Sequence, residues 1–488
     1  MPINKYVACC LVSLLACGRS PARTEEVARL NVVLVVVDSL RADHLGLYGY
    51  AAPTSPFLDS LDADAVIFER AWAPSSYTSQ SVAAILTGRL PSSGGSTGLL
   101  EAEPSPAAVS LQRHFRRAGR RTGVVSSQPL LRRRAFTSGF EDIQVAGLDE
   151  SWAATEVTRR ALDSLDTIGD ESFFFYLHYS DPHQPYAPPA DLLTRFTDGD
   201  GGDPAGIDVP EMQAAIERGD VTADDARVDA LTAAYDAEIA AVDRGLEELF
   251  AGLEQRDLLA ETLVVITASQ GEELLDHGWW GHAWTLFEEV LHVPLLLIGP
   301  GLAPGRVTEP VSLVDLGPSL LIAAGLDAQA VASDGDPFLR RSDEGFQVRA
   351  AGRAKIAELV IRERCIHRAV LAGTWKYIAT TLDCPPGERR AIAADYPNRL
   401  RAAADGSVAS PDEWAPPRRE LVFDLAGDPS ETSDLSAEAP ERLAELRRVL
   451  DNYAVHVREH GLAGTAAMAP ADLIDPDQAE RLESLGYL

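Results

Sequence analysis

Short, continuous apolar runs rich in β-branched and aromatic side chains constrain this chain more than any other feature of its sequence. The first is Asn31-Val-Val-Leu-Val-Val-Val37, and four similar runs begin at Gly123, Phe173, Thr262 and Val293. Runs of this kind are typical of strands that are buried on both faces of a parallel sheet. The chain is therefore predicted to form a sheet whose strands are distant from one another in sequence.

Helical patterns separate these runs. The clearest has apolar residues every three or four positions from Leu231 to Leu253, which places them on one face of a helix. Alternating strands and helices predict an α/β fold with a mostly parallel sheet flanked by helices. Ligands of such sheets bind beyond the carboxyl ends of the strands. Polar residues stand at these ends, namely Asp38, Ser126, His178 with Asp181 and His183, and Ser269-Gln270.

The pattern changes after about residue 340. Short antiparallel strands are predicted at residues 357–361, 368–371 and 375–379, followed by a strand at 420–425 and a helix at 440–455. We therefore predict an N-terminal domain over residues 30–340 and a smaller C-terminal α+β domain over residues 341–488. Residues 383–418 contain Pro, Gly and charges without a period, and no element is assigned there.

The first 17 residues predict export. Lys5 precedes an apolar run over residues 6–16 that is too short to span a bilayer as a helix. The stretch Leu14-Leu15-Ala16-Cys17-Gly18 resembles the lipobox of bacterial lipoproteins, in which the cysteine is acylated and becomes the N-terminus. We predict a lipoprotein-type signal peptide at residues 1–17, lipidation of Cys17 and a polar tether at residues 18–29. The protein would then be anchored to the cell envelope only by its lipid; a secreted or periplasmic protein is the alternative.

The charged residues exclude some functions. The 43 Lys and Arg against 74 Asp and Glu give a net charge of −31, which argues against a nucleic-acid partner. The only lysines are Lys5, Lys355 and Lys376, so any function that needs a lysine between residues 6 and 354 is excluded. Two cysteines, Cys365 and Cys384, remain after processing, and an oxidising compartment would allow them to pair or leave them as two thiols.

Four segments together resemble the sulfatase family of the alkaline phosphatase superfamily. They are residues 38–50, 78–89 with Leu86-Thr-Gly-Arg89, 178–186 with Asp181-Pro-His183, and 269–282. The resemblance extends from about residue 30 to Leu488. It implies an alkaline-phosphatase-like fold and a hydrolase that acts on a small anionic ester of the sulfate or phosphate type. It also implies a divalent cation, namely calcium, magnesium, manganese or zinc, that neutralises the oxyanion.

The resemblance assigns roles to particular residues. Asp38 is a metal ligand, and Thr78 is both the nucleophile and a metal ligand. Sulfatases have a cysteine or serine at this position that becomes formylglycine, whereas related phosphodiesterases and phosphonate hydrolases can use threonine. His183, His277 and His282 are substrate-contacting or acid–base imidazoles. The alternatives are a helix N-cap for Thr78 and hydrogen-bonded structural roles for the histidines.

Three departures from the family pattern affect the site. Ser269 and Gln270 replace the Asp-His or Asp-Asn pair of the second metal segment, Val82 replaces an arginine, and the sulfate-holding lysines are missing. Asp38 is then the only anionic ligand unless Glu272 or Asp276 takes part, so the cation is expected to be weak or absent.

Two hypotheses about function follow from the matches and the departures. One is a hydrolase that uses Thr78 with an impaired metal site. The other is a catalytically inactive sulfatase-like lipoprotein that binds an anionic ligand or serves assembly. A Ser/His/Asp esterase is disfavoured because no Gly-x-Ser-x-Gly motif is present.

Overall fold

The computed structural model describes residues 30–96, 105, 107–197, 212, 215–216, 218, 220–221, 225–330, 332–362, 365–380 and 420–462. The predicted signal peptide, Cys17, the tether, Cys384 and residues 383–418 lie outside the described residues. In the part of the chain that the structure describes, no helix combines the length and apolarity that a membrane span requires.

The described residues contain 19 strands. They are β1 (Asn31–Val37), β2 (Val66–Phe68), β3 (Ala71–Trp72), β4 (Arg121–Ser126), β5 (Asp142–Val145), β6 (Phe173–Tyr179), β7 (Thr262–Ala268), β8 (Glu273–Leu274), β9 (Trp280–Gly281), β10 (His292–Val293), β11 (Leu295–Ile298), β12 (Gly305–Val307), β13 (Val311–Ser312), β14 (Leu339–Ser342), β15 (Gly345–Val348), β16 (Lys355–Arg362), β17 (Cys365–Ala372), β18 (Trp375–Thr380) and β19 (Glu420–Asp424).

Eight strands form the main sheet in the spatial order β12-β2-β11-β7-β1-β6-β4-β5. The five strands from β7 to β5 are all parallel, which confirms the predicted fold class. The run that begins at Val293 differs from the expectation. Pro294, which has no N–H to donate, separates β10 from β11, and β11 runs antiparallel to both of its neighbours.

The three central strands of the sheet determine where the predicted site residues lie. Every residue of β1 is buried, and β1 lies between β6 and β7 with Val37 opposite Tyr179 and Ala268. The carboxyl ends of these three strands therefore meet at one edge of the sheet. Asp38 and Ser269 follow directly at this edge, which brings residues more than 200 positions apart into contact.

Helices cover the sheet. They are α1 (Pro56–Ser60), α2 (Thr78–Thr87), α3 (Pro91–Gly94), α4 (Leu111–Arg117), α5 (Arg134–Thr137), α6 (Ala154–Leu165), α7 (Ala190–Phe196), α8 (Ala226–Gln255), α9 (Glu288–Leu291), α10 (Leu316–Ala323) and α11 (Pro440–His460). The helix α8 contains the predicted apolar face, and its residues Leu231, Tyr235 and Leu246 are buried.

The C-terminal part forms a four-stranded antiparallel sheet, in the order β16-β17-β18-β19, with α11 beside it. These elements match the predicted strands and helix. Leu359, Leu371 and Phe423 of this sheet belong to the same hydrophobic core as the valines of β1. The predicted domain division at residue 340 stays a prediction.

Candidate functional site

Asp38 is the centre of a buried cluster at the carboxyl end of β1. Its side chain is fully buried. Its Oδ1 accepts hydrogen bonds from Ser269 Oγ at 2.7 Å, Gln270 Nε2 at 2.7 Å and Thr78 Oγ1 at 3.1 Å. The structure thus brings together four residues that the sequence assigned to one site from three distant segments.

Thr78 is the first residue of α2. Tyr77 occupies the N-cap position, so the hydroxyl of Thr78 does not cap the helix. Instead this hydroxyl donates to Asp38 and accepts from Gln270 Nε2 at 3.2 Å. A hydroxyl at a helix N-terminus can also stabilise negative charge that develops on its oxygen, because the positive end of the helix dipole is there.

The other oxygen of Asp38 contacts residues to which the sequence interpretation gave no role. Asp38 Oδ2 accepts from Gln128 Nε2 at 2.7 Å and lies 3.4 Å from His178 Nε2. His178 Nδ1 lies 2.8 Å from the hydroxyl of Tyr176. The sequence did contain one indication of these contacts. His178 lies near the end of β6 and Gln128 follows two residues after the end of β4, and ligands of such sheets bind at strand ends.

Electrostatics keeps Asp38 ionised. Burial raises the pKa of its carboxyl group, but the hydrogen bond and charge of His178 lower it, as do the charges of His183 and His282. The net result is a pKa well below the usual range. Asp38 is therefore a fixed negative charge inside the protein.

Two of the predicted histidines face each other beside this cluster. The rings of His183 and His282 are 4.9 Å apart in an edge-to-face arrangement, and both side chains are buried. Burial lowers the pKa of His183, and the nearby charge of Asp38 only partly reverses this. Burial also lowers the pKa of His282, but Glu272, 3.1 Å from its Nδ1, raises the pKa above its usual value. One imidazole is thus favoured as neutral and its neighbour as protonated.

His277 lies in a different environment. Its Nδ1 is 2.5 Å from Glu289 Oε1, and its ring stacks on Phe287 with centroids 3.7 Å apart. Burial lowers the pKa of His277, but Glu289 raises it to about 10. These contacts make His277 one partner of a buried ion pair, and they do not connect it to Thr78.

The structure also shows the surroundings of the other departures from the family pattern. Val82 is fully buried in the main core and leaves no cation in the position of the family arginine. Lys355 pairs with Asp315 at 2.9 Å, and Lys376 contacts Glu288 at 2.9 Å and Glu431 at 2.8 Å. Both lysines are buried in these ion pairs and are therefore not available for an anion at Thr78.

The two acidic residues that could have supplemented Asp38 have other partners. Asp276 binds the guanidinium of Arg41 at 2.7 Å, and Glu272 contacts His282. Among the described residues, no group of three or more His, Cys, Asp or Glu side chains is arranged to hold a metal ion.

Several buried polar atoms around the cluster have no hydrogen-bond partner within the described residues. They are Ser76 Oγ, Ser180 Oγ, Gln184 Oε1, Gln270 Oε1, Glu272 Oε2 and His282 Nε2. Buried polar atoms are normally satisfied by protein, water or ligand. Their concentration in the segments around Asp38 and Thr78 indicates a place where water or a polar ligand binds.

Comparison with known sequences is consistent with this geometry. Residues 30–326 match the sequence model of the family described as Sulfatase. Human arylsulfatase K (Homo sapiens) is 28% identical over 218 residues, which cover 43% of this chain and 34% of that protein. The choline-sulfatase of Rhizobium meliloti (strain 1021) is 31% identical over 157 residues, covering 31% of this chain and 29% of that protein. The chain thus matches about a third of the length of these curated relatives.

Solved structures share the fold across most of the chain. A protein solved in complex with its substrate D-glucosamine-2-N,6-O-disulfate has a TM-score of 0.66 at 18% identity and covers 88% of this chain and 98% of its own. The phosphonate monoester hydrolase of Agrobacterium radiobacter has a TM-score of 0.62 at 19% identity, with 89% and 96% covered. At this identity, the likeness establishes the fold.

Proposed function

Because the chain belongs to the sulfatase family, we propose that it is a hydrolase of small anionic esters of the sulfate or phosphate type, with Thr78 as its nucleophile. The observation that carries the proposal is the position of the Thr78 hydroxyl. It is buried in the first turn of α2 and held between the carboxylate of Asp38 and the amide of Gln270. The partners are then a small anionic substrate and no nucleic acid.

The proposed reaction uses Thr78, the carboxylate that accepts its hydrogen bond, and His282 beside the cluster. Thr78 Oγ1 forms a bond to the sulfur or phosphorus atom, and its proton moves to Asp38 Oδ1. The bond to the ester oxygen breaks, and this oxygen takes a proton from His282, whose raised pKa favours the acid form. Water then forms a bond to the sulfur or phosphorus atom and gives a proton to His282, while the bond to Thr78 Oγ1 breaks and this oxygen takes back its proton from Asp38. Removal of the Thr78 proton is the difficult step, because the lowered pKa of Asp38 makes it a weak base.

A divalent cation is proposed to be held weakly or not at all. In the family, such a cation stabilises the charge of the ester oxygens. Calcium and magnesium prefer several charged oxygen ligands. Among the described residues, Asp38 is the only carboxylate that is hydrogen-bonded to Thr78, and Ser269 and Gln270 offer a hydroxyl and an amide N–H to Asp38. This donor set does not fit a tight divalent site, so no step is assigned to a metal.

A second candidate is a non-catalytic protein that binds an anion. The observation in its favour is the weak basicity of Asp38, whose oxygens already accept several hydrogen bonds. The imidazolium of His282 and the hydroxyls of Ser76 and Ser180 would still donate hydrogen bonds to an anionic ligand without attacking it. A measurement of ester turnover distinguishes a hydrolase from a protein that only binds the anion.

Removing the nucleophile tests the first candidate. Thr78→Ala is expected to abolish turnover of a chromogenic phosphodiester, phosphonate or sulfate, whereas Thr78→Ser retains a measurable fraction because it keeps the hydroxyl. Thr87→Ala, which removes a buried hydroxyl from the other end of α2, is the control and should leave turnover near the wild-type value. Turnover that survives in Thr78→Ala would exclude Thr78 from the mechanism, and no turnover by the wild type on any of these esters would favour the second candidate.

We also propose that the protein is exported and anchored to the cell envelope through a lipid on Cys17. The support is the short apolar segment and the sequence Leu14-Leu15-Ala16-Cys17-Gly18. Cys17→Ala should abolish incorporation of labelled palmitate and release the protein from the membrane fraction of a bacterial host. Labelling that persists in Cys17→Ala would rule out acylation at this residue.

A further inference from the structure

Both carboxylate oxygens of Asp38 are occupied by protein atoms. Oδ1 accepts hydrogen bonds from Ser269, Gln270 and Thr78, while Oδ2 accepts one from Gln128 and faces His178. An ionised carboxylate has about four lone-pair positions. These contacts leave without a hydrogen bond at most one lone pair of Asp38, on Oδ2, and His178 Nε2 lies 3.4 Å from this oxygen.

The atoms that surround Asp38 are donors, and donors repel a cation. Ser269 offers an O–H, and Gln128 and Gln270 each offer an amide N–H at 2.7 Å. The orientation of the Gln270 amide follows from chemistry, because its oxygen placed 2.7 Å from a carboxylate oxygen would be repelled. A divalent ion at this place would have to displace three buried hydrogen bonds.

The donors are themselves held in place. Gln128 Oε1 accepts the backbone N–H of Leu130 at 3.1 Å, and His178 Nδ1 contacts the Tyr176 hydroxyl. The backbone N–H of Ser269 donates to Val37 O at 3.0 Å. All of the side chains that contact Asp38 are at least nine-tenths buried. The side chains that contact Asp38 are therefore held in place by burial and by further hydrogen bonds.

From this geometry we infer that the protein's own donors replace the divalent cation of the family, and that Gln270 is the residue that links Asp38 to Thr78 in its absence. Gln270 Nε2 lies within 2.7 Å of Asp38 Oδ1 and 3.2 Å of Thr78 Oγ1. Gln270 is thus a positioning residue for the Thr78 hydroxyl. That positioning role rests on the proposed function, whereas the exclusion of the cation does not.

The first test measures metal on the full processed protein. After dialysis, elemental analysis should find less than about a tenth of an equivalent of calcium, magnesium, manganese or zinc. Thermal unfolding with each cation at millimolar concentration, or with a chelator, should give an unchanged Tm, because a ligand that does not bind the folded state does not stabilise it. About one equivalent of any of these metals, or a Tm that rises and saturates with one of them, would overturn the inference.

A matched pair of variants tests the role of Gln270. Gln270→Glu replaces an N–H donor by a second carboxylate beside Asp38, so Tm should fall without metal and recover by several degrees with a divalent cation. The control is Gln112→Glu, a change of a fully buried glutamine that donates to Phe136 O; its Tm should fall without recovery. If no cation rescues Gln270→Glu more than the control, Gln270 does not exclude the metal.

These outcomes are separable from the proposed function, because none of them is read from turnover. A protein that binds no metal and has no hydrolytic activity would overturn the proposed function and with it the positioning role of Gln270, but not the exclusion of the cation. A protein that turns over an ester and carries a full equivalent of metal would overturn only the inference. If Gln270→Glu does not fold, the metal measurement on the wild type still tests whether the protein excludes the cation.

Discussion

Histidine shows how much the surroundings of a single residue decide its chemistry. His183 and His282 face each other in the buried cluster, Glu272 lies 3.1 Å from His282 Nδ1, and the pKa values of the two imidazoles move in opposite directions. His277 is only five residues from His282 but pairs with Glu289 and stacks on Phe287. Three imidazoles that are equivalent in the family pattern therefore have three different charge states or roles.

The His277 ion pair predicts a pH-dependent stability. Because Glu289 raises the pKa of His277 from 6.5 to about 10, the pair's contribution is fully present below pH 6.5 and is lost as pH rises through 10. At pH 6, His277→Gln should lower the free energy of unfolding by about 3 kcal/mol, since it leaves the buried Glu289 unpaired. Denaturant titrations of the wild type and the variant at several pH values measure this difference in the free energy of unfolding.

The difference between wild type and His277→Gln should shrink steadily between pH 6.5 and 10. Other carboxylates that act on His277 are Glu431 and Glu273, and both remain in the variant. His460→Gln, at an exposed position in the last turn of α11, is the control and should show a small difference at every pH. A constant difference for His277→Gln would mean that the ion pair does not titrate in this range.

At the scale of elements, α2 is fixed by neighbours from both sheets. Ser81 Oγ donates to Ser269 O in the loop after β7. On the other side, Gln80 Nε2 donates to Val360 O at 2.6 Å, and Gln80 Oε1 accepts from Val360 N at 3.0 Å. Val360 lies beside a register shift in β16, where the strand ladder is irregular. The C-terminal sheet thus helps to hold the helix that presents Thr78.

Loss of the Gln80 side chain tests this link. Gln80→Ala leaves the N–H and C=O of Val360 buried without their partner, so the free energy of unfolding should fall by about 3 kcal/mol. Gln144→Ala removes a half-buried glutamine of β5 whose hydrogen bond to Ser164 Oγ involves no backbone group, and it should cost about 1 kcal/mol. Denaturant titration measures both variants. Equal decreases in the free energy of unfolding would show that Gln80 contributes no more to stability than an ordinary half-buried glutamine.

At the scale of the whole molecule, both lysines among the described residues form buried ion pairs. Lys355 of β16 pairs with Asp315, and Lys376 of β18 pairs with Glu288 and Glu431. The cations near Thr78 must therefore come from elsewhere. Arg133 is one candidate, because its charge lowers the pKa of Tyr77, although burial as the larger effect raises this pKa to about 12.

The buried disulfide belongs to the same C-terminal part. Cys365 begins β17, is fully buried and is disulfide-bonded. Cys384, which the sequence left open as its partner or as a separate thiol, lies outside the described residues. Disulfides persist in oxidising compartments, and the export that would place the protein in one stays a prediction.

The sequence alone determined the sheet, the long helix, the C-terminal strands and the positions of Asp38, Thr78, Ser269 and Gln270. Local periodicity and the rule that ligands meet strand ends are sufficient for the elements and for Asp38, Ser269 and Gln270, whereas Thr78 was assigned by the resemblance to the sulfatase family. Tertiary structure decided which side chains touch. Gln128 and His178 reach Asp38 from β4 and β6, and His277 turns away to Glu289. Such contacts depend on strand order and side-chain direction, which spacing along the chain does not encode.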